Sequence, residues 1–197
     1  NRFMYVFGNG ESRTSVNINN LDGPKVGCNA VYRDYKMDHL ICVDRKMVRE
    51  VISSDQAQII YTRKDWYNEF SSYPHLKEVP ELPYHGAERH DEPFQWGSGP
   101  YAVLLASILA SYWAEDIKLI GFDLYSPTDR INNIYKDTPN YNNSTHHSID
   151  PRYWIHQIGK VFEFFPHHNY ILYTDTDWEL PSAWNTPNIT VDKISNL

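Results

Sequence analysis

The sequence predicts an α/β fold: one domain built on a mostly parallel sheet with helices on both faces. Three observations predict it. Apolar runs of strand length alternate with segments of helical periodicity along the chain. The strand-like runs are continuously apolar, the pattern of strands covered on both sides. And 197 residues are enough for one domain with a sizeable core. In such sheets ligands sit beyond the carboxyl ends of the strands, so the residues that follow each predicted strand are the first place to look for function.

The elements follow in order. Phe3–Phe7 is apolar throughout and breaks into Gly8-Asn9-Gly10, so it is a strand running into a tight turn. Residues 25–30 and 39–43 are short apolar strands. Over 44–53, Met47, Val48, Val51 and Ile52 fall at helical spacing, with Asp44 placed to cap the start. Residues 58–62 form another strand. Residues 63–97 lack periodicity and hold Pro74, Pro80, Pro83 and Pro93. They are too long for an ordinary connection, so they are a functional loop region or contain short elements. Residues 98–114 are the strongest helix, with Ser98 as cap and Pro100 in the first turn. It is apolar nearly all round and should be buried. Residues 117–124 read as a buried strand, 125–149 as a polar loop, 150–165 as a helix and 170–173 as a strand; the tail after Pro181 is left unassigned.

Composition narrows the function. A net charge of −7 argues against a nucleic-acid partner, which needs a basic face. It does not exclude an anionic ligand, because backbone amides can hold a phosphate inside an acidic protein. The 15 Tyr and 6 Trp are read mainly as packing residues, although aromatic rings also stack on sugars. The two cysteines, Cys28 and Cys42, lie in apolar runs and read as buried free thiols. With no signal-peptide pattern, they lead to the expectation of a cytoplasmic protein. The longest apolar stretch, 101–114, is too short to span a bilayer.

Four polar clusters follow predicted strands: Gly8–Ser12, Asn29 with Asp34, Asp44, and Asp123 with Tyr125. Ser98-Gly99 opens the buried helix, whose first amides point the same way. Glycines let a ligand approach the backbone closely, and helix-start N–H groups favour an anion. The Gly8-Asn9-Gly10 turn is therefore a candidate phosphate site, although it lacks the third glycine of the dinucleotide fingerprint. On a strand reaching 124, residues 121, 123 and 125 share one side. There Asp123 is expected to satisfy backbone N–H groups while Tyr125 faces the ligand. His85 and His90, with Glu88 between them and Asp91 just after, could suggest a metal site, but the spacing is not a known ligand set.

Gly8-Asn9-Gly10-x-Ser12, then Cys28-Asn29, then Ser98-Gly99, then Leu119-Ile120-Gly121-Phe122-Asp123-Leu124-Tyr125, then a Tyr/Asn-rich loop ending in His147-Ser148 together resemble the bacterial lipooligosaccharide sialyltransferases, glycosyltransferase family forty-two. The resemblance spans residues 3–175. It is looser to the motility accessory factor and hydroxymethylpterin pyrophosphokinase superfamily. The sialyltransferase resemblance implies a single Rossmann-like domain, a CMP-activated sialic-acid-like donor, a glycan hydroxyl as acceptor, and no metal or further cofactor. It implies a donor site around Gly8, Asn9, Gly10, Ser12, Asn29 and Asp44, with Ser98 and Gly99 lining the pocket. It implies that Tyr125 and Tyr135, or Tyr141 in the latter's place, hydrogen-bond the departing phosphate. It implies His147 as general base, with His146 the alternative. A homo-oligomer stays open. Gln95 stands where the family has arginine, and Asp44 where it has asparagine. Two other readings accompany this one: a Mg²⁺-dependent pyrophosphokinase-like enzyme using Asp44 and Asp123, and a non-catalytic binding module on the same scaffold.

Overall fold

The structure is a computed structural model that describes residues 2–114, 116–126, 130–141, 150–175 and 177–197. Eight strands form one sheet: β1 Phe3–Phe7, β2 Lys25–Cys28, β3 His39–Ile41, β4 Ile60–Thr62, β5 Leu76–Glu78, β6 Asp116–Ile120, β7 Asn169–Thr174 and β8 Ile189–Lys193. Their order is β5-β4-β3-β2-β1-β6-β7-β8, and every neighbouring pair is parallel. The chain starts in mid-sheet, steps outward to β5, and returns through α3 (Ser98–Ala110) to place β6 beside β1. The strand order reverses at β1–β6, so this is where a parallel sheet opens a crevice at its carboxyl edge.

Strand alternation divides the core in two. Met4 and Val6 point to one face, where they pack with α3 and with Ile158, Val161 and Phe162 of α4 (Arg152–Phe164). Tyr5 and Phe7 point to the other, where they pack with Met47, Val48 and Val51 of α1 (Arg45–Ser53). α3 lies between the sheet and α4, which is why its sequence is apolar all round: Val103 and Leu104 are fully buried and Leu105 nearly so. Each such side chain contributes about 1.5–3 kcal/mol by leaving water.

Several boundaries differ from the sequence reading. β2 stops at Cys28 because Asn29 turns to φ +54°, and β6 stops at Ile120 because Gly121 turns to φ +82°. Residues 121, 123 and 125 therefore do not share a strand face, although Phe122 and Leu124 remain apolar. α3 ends at Ala110, where the Ser111 amide and hydroxyl both bond back to the Ser107 carbonyl. Ser98 does not cap it; Gly97 holds that position and the Ser98 hydroxyl accepts a bond from Val43 N–H at 3.1 Å. Segment 63–97 contains α2 (Lys64–Glu69), β5 and two short 3₁₀ turns. The tail supplies β8, an edge strand with three of its five residues exposed. Cys28 and Cys42 are free and buried, and burial pushes the Cys28 thiol up to about 12. Among the described residues, no helix is long and apolar enough to cross a membrane.

Candidate functional site

The β1–β6 reversal carries a cleft of about 170 Å³. It is lined by the turn after β1 (Gly8, Asn9, Gly10), the end of β2 (Cys28, Asn29), the start of α3 (Ser98, Gly99, Pro100) and the turn after β6 (Gly121–Leu124), with Asn132, Asn133, Trp154 and Ile158 closing the sides. Six of the sequence-predicted residues therefore meet here: Gly8, Asn9, Gly10, Asn29, Ser98 and Gly99.

The glycine turn packs closely against the end of β6 as well as lining the cleft. Gly8 N–H and Gly10 N–H bond to the carbonyls of Ile120 and Gly121, at 2.8 and 2.9 Å. A Cβ on Gly8 would lie 2.4 Å from the Gly121 carbonyl oxygen, and one on Gly10 would lie 2.4 Å from the Asp123 carboxyl carbon. The Asp123 carboxylate sits in the anion position of the turn. It accepts the Ser12 N–H at 3.0 Å, the Ser12 hydroxyl and Asn132 Nδ2 at 3.1 Å, while Asn132 Oδ1 takes the Glu11 N–H at 2.7 Å. Ser12 is thereby committed to Asp123 and does not line the cleft, which departs from its expected contact with the nucleotide.

Asn9 is buried and ties β1 to β2: its Nδ2 donates to the Cys28 carbonyl at 3.0 Å and its Oδ1 accepts from Arg13 at 3.2 Å. Arg13, only 3% exposed, also donates to the Gly8 carbonyl at 3.0 Å and to the Tyr135 hydroxyl at 3.3 Å. Sequence reasoning missed it, because an arginine in a polar turn carries no mark of burial.

The turn leaves ligand recognition to Asn29 and to α3. Asn29 lines the cleft with a left-handed backbone, and its Oδ1 is buried with no hydrogen-bond partner among the described residues. Ser98 and Gly99 are the first residues of α3, so their N–H groups have no carbonyl one turn back to receive them. Gln157, buried on α4, fixes this end by donating to the carbonyls of His90 and Gln95, both at 3.0 Å, and accepting the Gly97 N–H at 3.3 Å. The cleft therefore offers a partial positive charge from the helix start, and Asn29 lines it with an amide oxygen that has no partner among the described residues.

The other expected residues lie elsewhere. Asp44 caps α1 by accepting the Lys46 N–H at 2.8 Å, and it does not line the cleft. Asp123, the other carboxylate of the Mg²⁺ reading, does line the cleft, and its oxygens accept from Ser12 and Asn132. Tyr135 is buried outside the cleft, with its hydroxyl donating to Asp34 at 2.8 Å; burial pushes this phenol up to about 12. The Tyr141 hydroxyl accepts the Ala30 N–H at 3.2 Å. Tyr125 is 40% exposed, packs its ring 6.4 Å from that of Trp178, and is not among the lining residues. His146 and His147 lie outside the described residues. Trp154 and Ile158, which close the cleft, had no signal beyond their i, i+4 spacing on α4.

No family model and no curated protein sequence matches the chain. Two solved structures do. One is the monofunctional α-2,3-sialyltransferase Cst-I from Campylobacter jejuni, with TM-score 0.61 and 14% identity over 94% of this chain and 80% of that one. The other is the sialyltransferase CST-II in complex with a trisaccharide acceptor and CMP, with TM-score 0.53 and 14% identity over 95% and 87% of the two chains. The fold is that of these sialyltransferases.

Proposed function

We propose that the chain is a glycosyltransferase that moves a sialic-acid-like sugar from a CMP-activated donor to a glycan hydroxyl, without a metal in the transfer step. The observation that carries this reading is the cleft lined by the start of α3, with its free N–H groups, and by Asn29, whose buried Oδ1 has no partner among the described residues, at the strand-order reversal of a sialyltransferase-like fold. An amide oxygen with no donor calls for a ligand that donates, as a ribose hydroxyl or a cytosine amino group does. The helix start calls for an anion, as the phosphate of a CMP-sugar provides.

The chemistry follows from those two partners. Sialyl transfer passes through an oxocarbenium-like state as the phosphate leaves, and oriented N–H dipoles stabilise the departing charge in place. The acceptor hydroxyl must lose its proton, and the resemblance assigns that role to His147, whose side-chain type titrates near neutrality. Tyr135 acts here through position, holding Arg13 under Asn9. Tyr125 remains the proposed hydrogen-bond donor to the phosphate. At about 170 Å³ the cleft is smaller than the roughly 300–1,000 Å³ pockets that enclose drug-sized ligands, so the sugar and acceptor extend along the carboxyl edge. A neighbouring groove of about 650 Å³, lined by Arg63, Tyr84, Phe94 and Tyr101, offers an exposed aromatic face at Phe94 for a glycan.

The experiment is calorimetric titration of the full chain with CMP, CDP, ATP and GDP, each with and without Mg²⁺. CMP binding in magnesium-free buffer supports the proposal. ATP binding that requires Mg²⁺ supports the pyrophosphokinase-like reading instead, and no nucleotide binding supports a binding module.

A further inference from the structure

We propose that His90, Asp91 and His156 form a binding site for a divalent transition-metal ion of the zinc type, which clamps the segment leading into α3 onto α4. The three side chains each bring a ligand atom, and these atoms lie within 4.8 Å of one another. His90 and Asp91 come from the 3₁₀ turn Arg89–Asp91, and His156 comes from α4. His156 is two residues from Trp154, about 200° round the helix, so the site faces away from the cleft.

The His156–Asp91 contact alone, at 2.7 Å between Nε2 and Oδ1, would pass as an ordinary buried pair. His90 is what sets it apart. Its ring lies 3.8 Å from the His156 ring, and its nitrogens make no hydrogen bond among the described residues. His90 also packs edge-on to the Tyr153 ring at 5.4 Å, yet beside a second imidazole that already holds a carboxylate its two nitrogens have no hydrogen-bond partner among the described residues. A cation that takes all three groups at once does explain it.

The carboxylate is also held as metal ligands are held. Tyr84 donates its hydroxyl to Asp91 Oδ1 at 2.8 Å, and the Glu88 N–H reaches Oδ2 at 3.1 Å. Gly86 passes so close that a Cβ there would fall 2.1 Å from Oδ2. Gln157 fixes the His90 backbone through its carbonyl. Such outer contacts orient ligands. Two imidazoles and one carboxylate suit Zn²⁺, Co²⁺ or Ni²⁺ rather than Mg²⁺ or Ca²⁺. Both histidines are partly exposed, so water completes the coordination. With bonds near 2.1 Å, tetrahedral ligands sit about 3.4 Å apart; binding therefore opens the Asp91–His156 contact and draws His90 in. His156 turns to its Nδ1–H form and Nε2 takes the metal.

The clamp would stabilise the segment that Gln157 also ties to the start of α3, so its role is structural, and through Asp91 and Tyr84 it would also firm one wall of the neighbouring groove. The test uses the untagged full chain in metal-stripped buffer, titrated with Zn²⁺ by calorimetry and with Co²⁺ by absorption spectroscopy. The expected result is one Zn²⁺ per chain at low-micromolar affinity or tighter, a Co²⁺ spectrum of four- or five-coordinate character, and a higher melting temperature with Zn²⁺. Two variants localise it. His90→Phe keeps the ring packing and removes the nitrogens; His156→Gln keeps a donor for Asp91. Each should melt within a few degrees of the parent without metal, yet bind Zn²⁺ about 100-fold more weakly or worse, beyond the 10–100-fold typical of losing an outer contact. Equal Zn²⁺ binding by the parent and both variants would place the ion at another histidine pair and overturn the proposal. So would a Co²⁺ spectrum in the parent identical to that of the aqueous ion, whatever the variants do.

Discussion

Asp123→Asn probes the seat of the glycine turn. The carboxylate accepts three donors: the Ser12 N–H, the Ser12 hydroxyl and Asn132 Nδ2. Asparagine keeps one acceptor and puts an NH₂ in place of the other. The Ser12 hydroxyl can rotate to accept from that NH₂, but Asn132 cannot flip to do so, because its Oδ1 already takes the Glu11 N–H at 2.7 Å. The retained oxygen therefore takes the Oδ2 place, where it still accepts both the Ser12 N–H and Asn132 Nδ2 but without the charge, and the new NH₂ takes the Oδ1 place and faces the Ser12 hydroxyl. Hydrogen bonds to charged groups are worth about 1.5–3 kcal/mol and neutral ones about 0.5–1.5. Weakening all three, with the Ser12 hydroxyl turned from donor to acceptor, comes at a half-buried site to about 1–2 kcal/mol. For a chain of 197 residues that is roughly 2–8 °C in melting temperature. Differential scanning calorimetry at pH 7 reads it, with Ser12→Ala and the double variant completing a cycle. The double variant should lose less than the sum of the single changes. An Asp123→Asn protein that melts within a degree of the parent, or additive losses in the cycle, would refute the assignment of Asp123 to the turn.

Other perturbations separate binding from architecture. Asn29→Gly suits the φ +54° backbone, so stability should hold while CMP affinity falls about tenfold, read by calorimetry. Tyr135→Phe strips the hydroxyl that joins Asp34 to Arg13 and should cost about 1 kcal/mol in urea unfolding, since buried Arg13 keeps Asn9 and exposed Asp34 turns to water. A lowered turnover without that loss would return Tyr135 to the chemistry. His147→Ala should cut transfer by about 10²-fold or more, with donor binding nearly intact and donor hydrolysis falling less, while His146→Ala keeps the parental rate. Burial raises the Glu50 pKa, but bonds from Arg33, Tyr32 and Asn140 outweigh it and hold the carboxyl below its ordinary value. The stability Glu50 contributes is thus present at neutral pH and lost as pH falls through the acid range, so Glu50→Gln should flatten urea-unfolding stability below about pH 4.3.

The parallel sheet and the buried helix were legible because continuous apolar runs and an all-apolar helix have few other places to go. Strand ends were less so. Residues 121–124 keep an apolar pattern after β6 has ended, since the break lies in the backbone angles of Gly121 and Leu124 and not in their polarity. β8 was invisible because an edge strand covered on one side carries too little apolar signal. At the site, the order of polar residues after strands located the cleft at Asn9, Asn29 and Ser98-Gly99. It did not reveal that Asp123 fills the turn, that Arg13 is buried beneath it, or that His156 joins His90 and Asp91 from 65 residues away. Each depends on two distant segments meeting, and one chain read alone gives no register between them.

The central claim, metal-free transfer of an activated sugar, is tested most directly by release of CMP from CMP-activated sialic acid in magnesium-free buffer with a mixture of oligosaccharides. The account predicts CMP release that rises when acceptor is added, with one oligosaccharide gaining the mass of one sialyl residue. Binding of the donor with neither CMP release nor a mass gain, across the whole acceptor mixture and with or without added Mg²⁺, would contradict it.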